Sequence, residues 1–420
     1  MNELATLTFW ILLGLVGGQG LMVLGWLRVL VRRTAALESD DAYCPRAAVI
    51  LCLRGSDPFL TDCVEALLDQ DYPEYEIRFV VDRREDPAWQ VVEEVLQQRK
   101  ATNVRIDPLR ERRGTCSLKI ASMLQAISGL DSSHEVVVLL DSDTIAHRTW
   151  LRELVAPLAD ERVGAAAGNR WYMPADASCG SLVRYLWNVA AVVQMYWYGI
   201  AWGGSMALKT SVFDRSDLLD RLAHAFGEDS TICRALVRAK LRVAFVPSAM
   251  MVNRETCDVP GFFHFLQRQL LTVRLHNPWW WAVVGHGIVT SAAQLFALGL
   301  LLVALLKTEW EVAAWAGGGL ALYLAAMVLL MVPMEIGVQR IVRARREPTG
   351  WLNGATALRV MLAIPLTQVI YAAGLVSTFF VRIHQWRGIV YQFDGARSVR
   401  VIEDRPYVDT HSDSQTATSL

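Results

Sequence analysis

Two carboxylates one residue apart close an apolar run. In "EVVVLLDSD" the segment from Val136 to Leu140 reads as a buried strand and runs directly into Asp141 and Asp143. Like charges that close raise each other's pKa unless a cation or hydrogen-bond donors offset the repulsion. Residue type allows two readings. Asp after a strand is a common turn and N-cap residue, so the pair alone reads first as a capped turn. The other reading is chemical: Asp143 ligates Mg²⁺ or Mn²⁺, hard cations suited to carboxylate and phosphate oxygens, while Asp141 holds a ribose or the metal's water shell. Such a cation would neutralise a leaving diphosphate, which implies a nucleotide-linked substrate.

Other residues admit the same pairing of readings. "FGEDSTICRALVRAKLRVAFVP" places Glu228 and Asp229 at the start of a helix, where backbone N–H groups favour ionised carboxylates. This is an ordinary acidic cap, or a general base for a hydroxyl acceptor. "FLQRQLLTVRLHNPWWW" puts Arg268 and Arg274 on an amphipathic helix just before an apolar segment. Arginines there meet lipid head groups, or clamp a diphosphate with their planar forks. Lys119, opening the "SLKIASM" helix after Gly114, has the same two readings. His286 lies inside an apolar segment, where an ionisable group is a functional candidate, and the flanking Trp279, Trp280 and Trp281 place it near the interface.

The elements that must position these groups alternate. "RAAVILCLRG", "YEIRFVVD", "NVRIDPL" and "EVVVLLDSD" read as strands, and the intervening "CVEALLDQDYP", "AWQVVEEVLQQRK" and "SLKIASMLQAISGL" as helices. This predicts an α/β domain over residues 45–275, doubly wound around a mostly parallel sheet. Ligands in such sheets sit at the carboxyl ends of the strands, where Arg54, Asp82 and Asp141 fall.

Hydrophobic residues make up 53% of the 420 residues. Four stretches, Ala5 to Leu27, Pro278 to Leu306, Val312 to Met334 and Val360 to Val381, carry no Asp, Glu, Lys or Arg. Each is long enough for the ~20 residues that cross a bilayer. An integral membrane protein is expected, with an anchor over residues 1–33, membrane helices over 278–381 and a tail over 382–420. Arg28, Arg32 and Arg33 after the first stretch place the domain on the cytosolic side. Four full crossings would then put Arg382 and Arg387 outside, which allows one segment to re-enter or lie flat, and Pro365 makes the last a candidate. The uncharged run from Tyr185 to Leu208 reads as a helix at the interface or buried, not a further span. A formal net charge of -1 excludes a nucleic-acid partner on electrostatic grounds. Seven dispersed cysteines without CxxC spacing signal neither a disulfide framework nor a zinc site.

Together, "RGSDPFL", "LLDQDYPEYEIRFVVDRREDPAW", "LLDSD", "GGSMALKTSVF", "FGEDSTICRALVRAKLRVAFVP" and "QWRGIVYQ" resemble the family 2 type of glycosyltransferase. They are most similar to the ceramide glucosyltransferase group. The resemblance implies a GT-A fold, a nucleoside-diphosphate sugar donor and inversion by one direct displacement. It implies that Asp82 contacts uridine, with Glu85 and Asp86 as alternatives in register, that Asp141 and Asp143 meet nucleotide and metal, and that Asp229 is the general base. Lys119 and Arg268 are assigned to the nucleotide, and Trp202, Gly204, Glu228 and Arg274 to the acceptor side. One departure stands out: where the family carries Q/RxxRW, Arg268 is followed by "QLLT", with Leu271 and Thr272 in place of Arg and Trp.

A water-soluble sugar nucleotide needs membrane helices only if acceptor or product belongs to the bilayer. Transfer of a hexose, glucose from UDP-glucose, to a lipid hydroxyl such as ceramide or diacylglycerol is the expectation. The rivals are a processive polysaccharide synthase and a membrane protein that senses sugar nucleotides without turnover.

Overall fold

The computed structural model describes residues 1–34, 43–349, 354–395 and 397–407. Helix α1 (Asn2–Thr34) comes first. The next block begins with β1 (Ala47–Leu53), α2 (Leu60–Leu68), β2 (Tyr75–Val81), α3 (Pro87–Arg99), β3 (Val104–Pro108), α4 (Leu118–Ser128) and β4 (Val136–Leu140). It continues through α5 (Trp150–Val155), β5 (Val163–Ala167), β6 (Arg170–Tyr172), α6 (Cys179–Tyr198) and β7 (Ser205–Lys209). Helices α7 (Ser211–Arg215), α8 (Leu218–Leu222) and α9 (Glu228–Arg238), strands β8 (Arg242–Phe245) and β9 (Met251–Asn253), and helix α10 (Val259–His276) complete it.

Seven strands form one sheet in the order β3-β2-β1-β4-β7-β5-β8. All neighbours are parallel except β7, which runs against both β4 and β5. The strands are near-continuous apolar runs because both faces are covered, as parallel sheets require. Ala47, Val49 and Leu51 face a core with α2, α3 and α5. Ile50, Val137 and Leu139 face a second core with α4, α8 and α9. Local chemistry fixes the helix starts at the strand ends. Asp86 accepts from Ala88 N (2.9 Å), with Pro87 opening α3, and Ser117 accepts from Ile120 N at the start of α4. The same Asp86 carboxylate accepts from Gly55 N (2.9 Å), so it ties two loops together as a structural cap.

The expected interfacial run resolves into two elements. Helix α6 ends at Gly199, whose φ of +63 turns the chain, and β7 enters the centre of the sheet six residues later. Trp197 on α6 donates Nε1–H to Met22 O of α1 at 2.9 Å, joining block to anchor.

Among the described residues, four helices are long and apolar enough to cross a membrane: α1, α11 (Trp280–Leu306), α12 (Trp310–Ala344) and α13 (Gly354–Phe380). The first three form a bundle. Its far end packs Ala5, Leu300, Ala304, Val312 and Ala316, and its near end packs Trp26, Leu30, Met334 and Val338 against the block. Glu335 fixes that joint, because its carboxylate accepts from Trp171 Nε1 (3.1 Å) and the Tyr185 hydroxyl (2.8 Å).

Helix α13 behaves differently. Just before it, Arg345 donates to Met250 O and Arg254 donates to Pro348 O, both at 2.6 Å. At its last turn, Arg274 donates to Thr378 O and, at 2.8 Å, to Val381 O. Between these ties it lies along α6 and α10, with Gly374 against Leu266. Its last turn is thus tied to the block, and the helix also packs along α11, with Gly287 against Tyr371 and Leu375. Pro365 does not break it.

After α13 the chain forms an antiparallel sheet of β10 (Ile383–Trp386), β11 (Ile389–Phe393) and β12 (Val399–Asp404). The sequence marks this region only as a tail. In the structure Ile389, Tyr391, Phe393 and Val399 cover Phe226, Leu271 and Leu275, apolar faces that the block leaves open. Val401 N donates to Gly114 O (2.9 Å) and Arg112 donates to Asp404 (2.9 Å). The rest of the expected tail, 408–420, lies outside the described residues.

Candidate active site

The carboxyl ends of β1 and β4, the start of α9 and one face of α10 border a cleft of about 220 Å³. Asp141 and Asp143 leave β4 into it. Lys119, one residue into α4, donates to Asp141 Oδ1 at 2.7 Å and pairs with Glu228. Arg170, opening β6, reaches across to both aspartates, 3.3 Å from Asp141 Oδ2 and 3.0 Å from Asp143 Oδ2. Burial pushes Asp141 up, but Lys119 and Arg170 outweigh it and hold the carboxyl below its usual range. Asp143 has less compensation. Burial, then Asp141, Glu255 and Asp57, outweigh Arg170 and raise it to about 6.

That imbalance tests the metal reading. Asp143 presents hard carboxylate oxygens among further negative charge, which fits a divalent cation. Among the described residues no group of three ligating side chains exists. Two carboxylates with diphosphate oxygens completing the shell suit Mg²⁺ or Mn²⁺ in nucleotide enzymes.

Asp229 stands beyond this pair in the first turn of α9. Gly203 N donates to its Oδ1 at 2.7 Å, and a Cβ on Gly203 would lie 2.7 Å from that same oxygen, so only glycine brings the backbone this close. Burial and the Glu228 charge nevertheless raise the Asp229 carboxyl well above its ordinary value, against the pull of Lys119. The helix start alone suggested the opposite direction. Trp202 stacks under the Arg170 guanidinium, 4.9 Å from its ring centre, and Gly204 lies against Trp202 and Asp141.

Arg268 on α10 faces the cleft. Among the described residues it forms no ion pair; its guanidinium lies over the Trp386 ring at 4.8 Å and near Phe265 at 5.8 Å. Burial, then Arg387 and Arg170, depress its pKa to about 10. Arg387 also lines the cleft and donates to Asp57 Oδ1 at 2.7 Å. With Arg54, four arginines thus line one space, and such a cluster is a site for a polyanion.

Of the residues expected from sequence, Arg54, Asp141, Asp143, Lys119, Glu228, Asp229, Trp202 and Arg268 border this cleft, and Gly204 lies just behind it against Trp202 and Asp141. Two stand apart. Asp82 is buried between Arg54 and Arg112 and does not line it. Arg274 is spent on the last carbonyls of α13. Sequence reasoning missed Arg170, Asn188, Trp386 and Arg387. Asn188 on α6 lines the cleft with its Oδ1 buried and unpartnered. For Trp386 and Arg387 the available signal was "QWRG": the two residue types missing after Arg268 return in the folded-back tail.

A mostly parallel sheet with an antiparallel β7, acidic residues at the end of β4 and a half-buried carboxylate in a cationic cleft define a GT-A glycosyltransferase, here with membrane helices. The chain belongs to glycosyl transferase family 21, which matches residues 11–399. Among solved structures, it is similar to the mannosyltransferase PcManGT from Pyrobaculum calidifontis, determined with GDP-Man and Mn²⁺. The identity is 18%, coverage 89% of this chain and 98% of that one, and the TM-score 0.46. It is also similar to glucosyl-3-phosphoglycerate synthase from Mycobacterium tuberculosis, determined with phosphoglyceric acid, at 15% identity, 54% and 79% coverage and TM-score 0.36. No curated protein matches the chain.

Proposed function

We propose that this protein is an inverting glycosyltransferase that moves a hexose, glucose from UDP-glucose, onto the hydroxyl of a membrane lipid such as ceramide or diacylglycerol. One observation carries the reading: the Arg268 guanidinium, without an ion pair among the described residues, and the half-buried Asp229 carboxylate line one cleft whose α10 wall leads into the membrane helices. The resemblance of "LLDSD" and "FGEDS" to the ceramide glucosyltransferase group supports the sugar and the acceptor class.

In this reading Arg268, Arg387 and Arg170 hold the diphosphate, and Lys119 fixes Asp141 for the nucleotide. Asp143, with Asp141, would hold Mg²⁺ or Mn²⁺, which neutralises charge on the departing diphosphate. Asp229 accepts the proton of the lipid hydroxyl. The hydroxyl oxygen bonds to the anomeric carbon as the bond from that carbon to the phosphate oxygen breaks on the opposite face, so configuration inverts. Arg340 and Arg343 in the last turns of α12 and Arg345 at its cap lie at the end that meets the block, which supports a cytosolic active site.

Purified protein given radiolabelled UDP-sugars and ceramide or diacylglycerol in vesicles is expected to yield lipid-extractable label. The label should be lost with EDTA and restored by Mg²⁺ or Mn²⁺. No extractable label with any donor would sink the reading. The pH profile carries a second expectation. A base works deprotonated, so activity is present above the Asp229 pKa and lost as pH falls through it. Because that pKa is raised, the acid limb of kcat/KM should lie well above the ordinary carboxylate value of 3.8. A rate that stays flat down to that value removes Asp229 as the base.

A further inference from the structure

A second cavity of about 220 Å³ lies between α1, α6, α11, α12 and α13. Its lining is mainly hydrocarbon and thioether, with Val283, Met327 and Met331 as examples. It shares Ala191, Met195, Asp229, Gln269 and Thr272 with the cleft, so the two spaces meet beside the base. One polar cluster interrupts the apolar wall. His286 Nε2 lies 3.2 Å from Gln19 Nε2, and His286 Nδ1 lies 3.2 Å from Gln194 Nε2. The Tyr323 hydroxyl donates to Gln19 Oε1 at 3.1 Å. Four different helices contribute to this cluster, at a depth where polar groups are costly to bury. Imidazole and carboxamide each carry a donor and an acceptor, so the cluster can exchange its internal bonds for a guest's.

We propose that this cavity seats the hydrocarbon of the acceptor, and that Gln19, Gln194 and His286 hold a hydrogen-bonding group that the lipid carries apart from its reacting hydroxyl. The inference rests on the lipid-transferase reading. Three features select a hydrocarbon guest over a growing sugar chain: the apolar wall, the position among the membrane helices, and an opening at Asp229 that leaves a chain's hydroxyl end beside the base. Methionines, which adapt their shape to a guest, are frequent along one side.

Ala190, on α6, lines the cavity and is exposed, so a larger side chain there would project from the wall. Ala190→Trp should therefore fill the cavity. With ceramide or diacylglycerol in phosphatidylcholine vesicles, we expect it to raise the lipid KM at least about tenfold while leaving the KM for UDP-glucose unchanged. His286→Leu should raise the lipid KM by about tenfold, the loss of one hydrogen bond to a buried group, with kcat held. Ceramide and diacylglycerol with a diazirine in the acyl chain give a readout that needs no turnover. On illumination they should label α6 and α11 in the native protein and not in Ala190→Trp. An unchanged lipid KM in both variants, or labelling confined to the outer faces of the helices, overturns the inference. If the native protein glycosylates no lipid, the functional reading fails first; labelling of α6 and α11 would still support the cavity as a lipid site.

Discussion

Asp229→Asn lowers kcat by about 10²–10⁴-fold, the usual span for removing a general base, and leaves UDP affinity nearly intact. The substitution is close to isosteric, and the amide oxygen keeps the bond from Gly203 N. It also removes a half-buried charge that Glu228 repels, while the Lys119 pairs with Asp141 and Glu228 persist. The variant should therefore fold at least as well as the parent, and a thermal melt alongside the assay separates lost chemistry from lost structure. Retained transfer would take Asp229 out of the mechanism. Lost UDP binding would place it in the donor site instead.

Arg387→Ala weakens UDP binding about 30-fold or more, corresponding to the ~2 kcal/mol at the low end for truncating one member of a buried charged contact. Arg387 both lines the cleft and bonds Asp57, so its loss removes a phosphate ligand and frees a buried carboxylate. Arg387→Lys keeps the charge without the fork and should recover only part of the affinity. Isothermal titration with UDP reads both. Native affinity in Arg387→Ala would show that the tail supplies no diphosphate contact, and would leave Arg268 and Arg170 to hold it.

The parts of the site that sequence revealed are those set by local signals. Asp141 and Asp143 end an apolar run, Asp229 opens a helix after glycine, and Lys119 comes two residues after the serine that caps α4. Each placement needs only a strand end or a helix start. Arg170 was hidden because β6 has three residues and pairs only with β9, far along the chain. Arg387 was hidden because its position depends on a sheet that returns more than 300 residues to meet Arg54 and Asp57. Asp82 shows the converse. Its place at the end of β2 was legible, but Arg54 and Arg112 closing over it was not. The helices of the membrane part were visible from hydropathy, whereas the course of α13 depends on Arg254, Arg345 and Arg274 fastening its neighbourhood at both ends.

Fastening α13 in this way has a consequence for traffic of the product. The cavity mouth therefore keeps its place against the helices that border it. Under the proposed reaction, each glycolipid is released into the monolayer that supplied its acceptor. Reaching the opposite monolayer is then the work of a separate flippase.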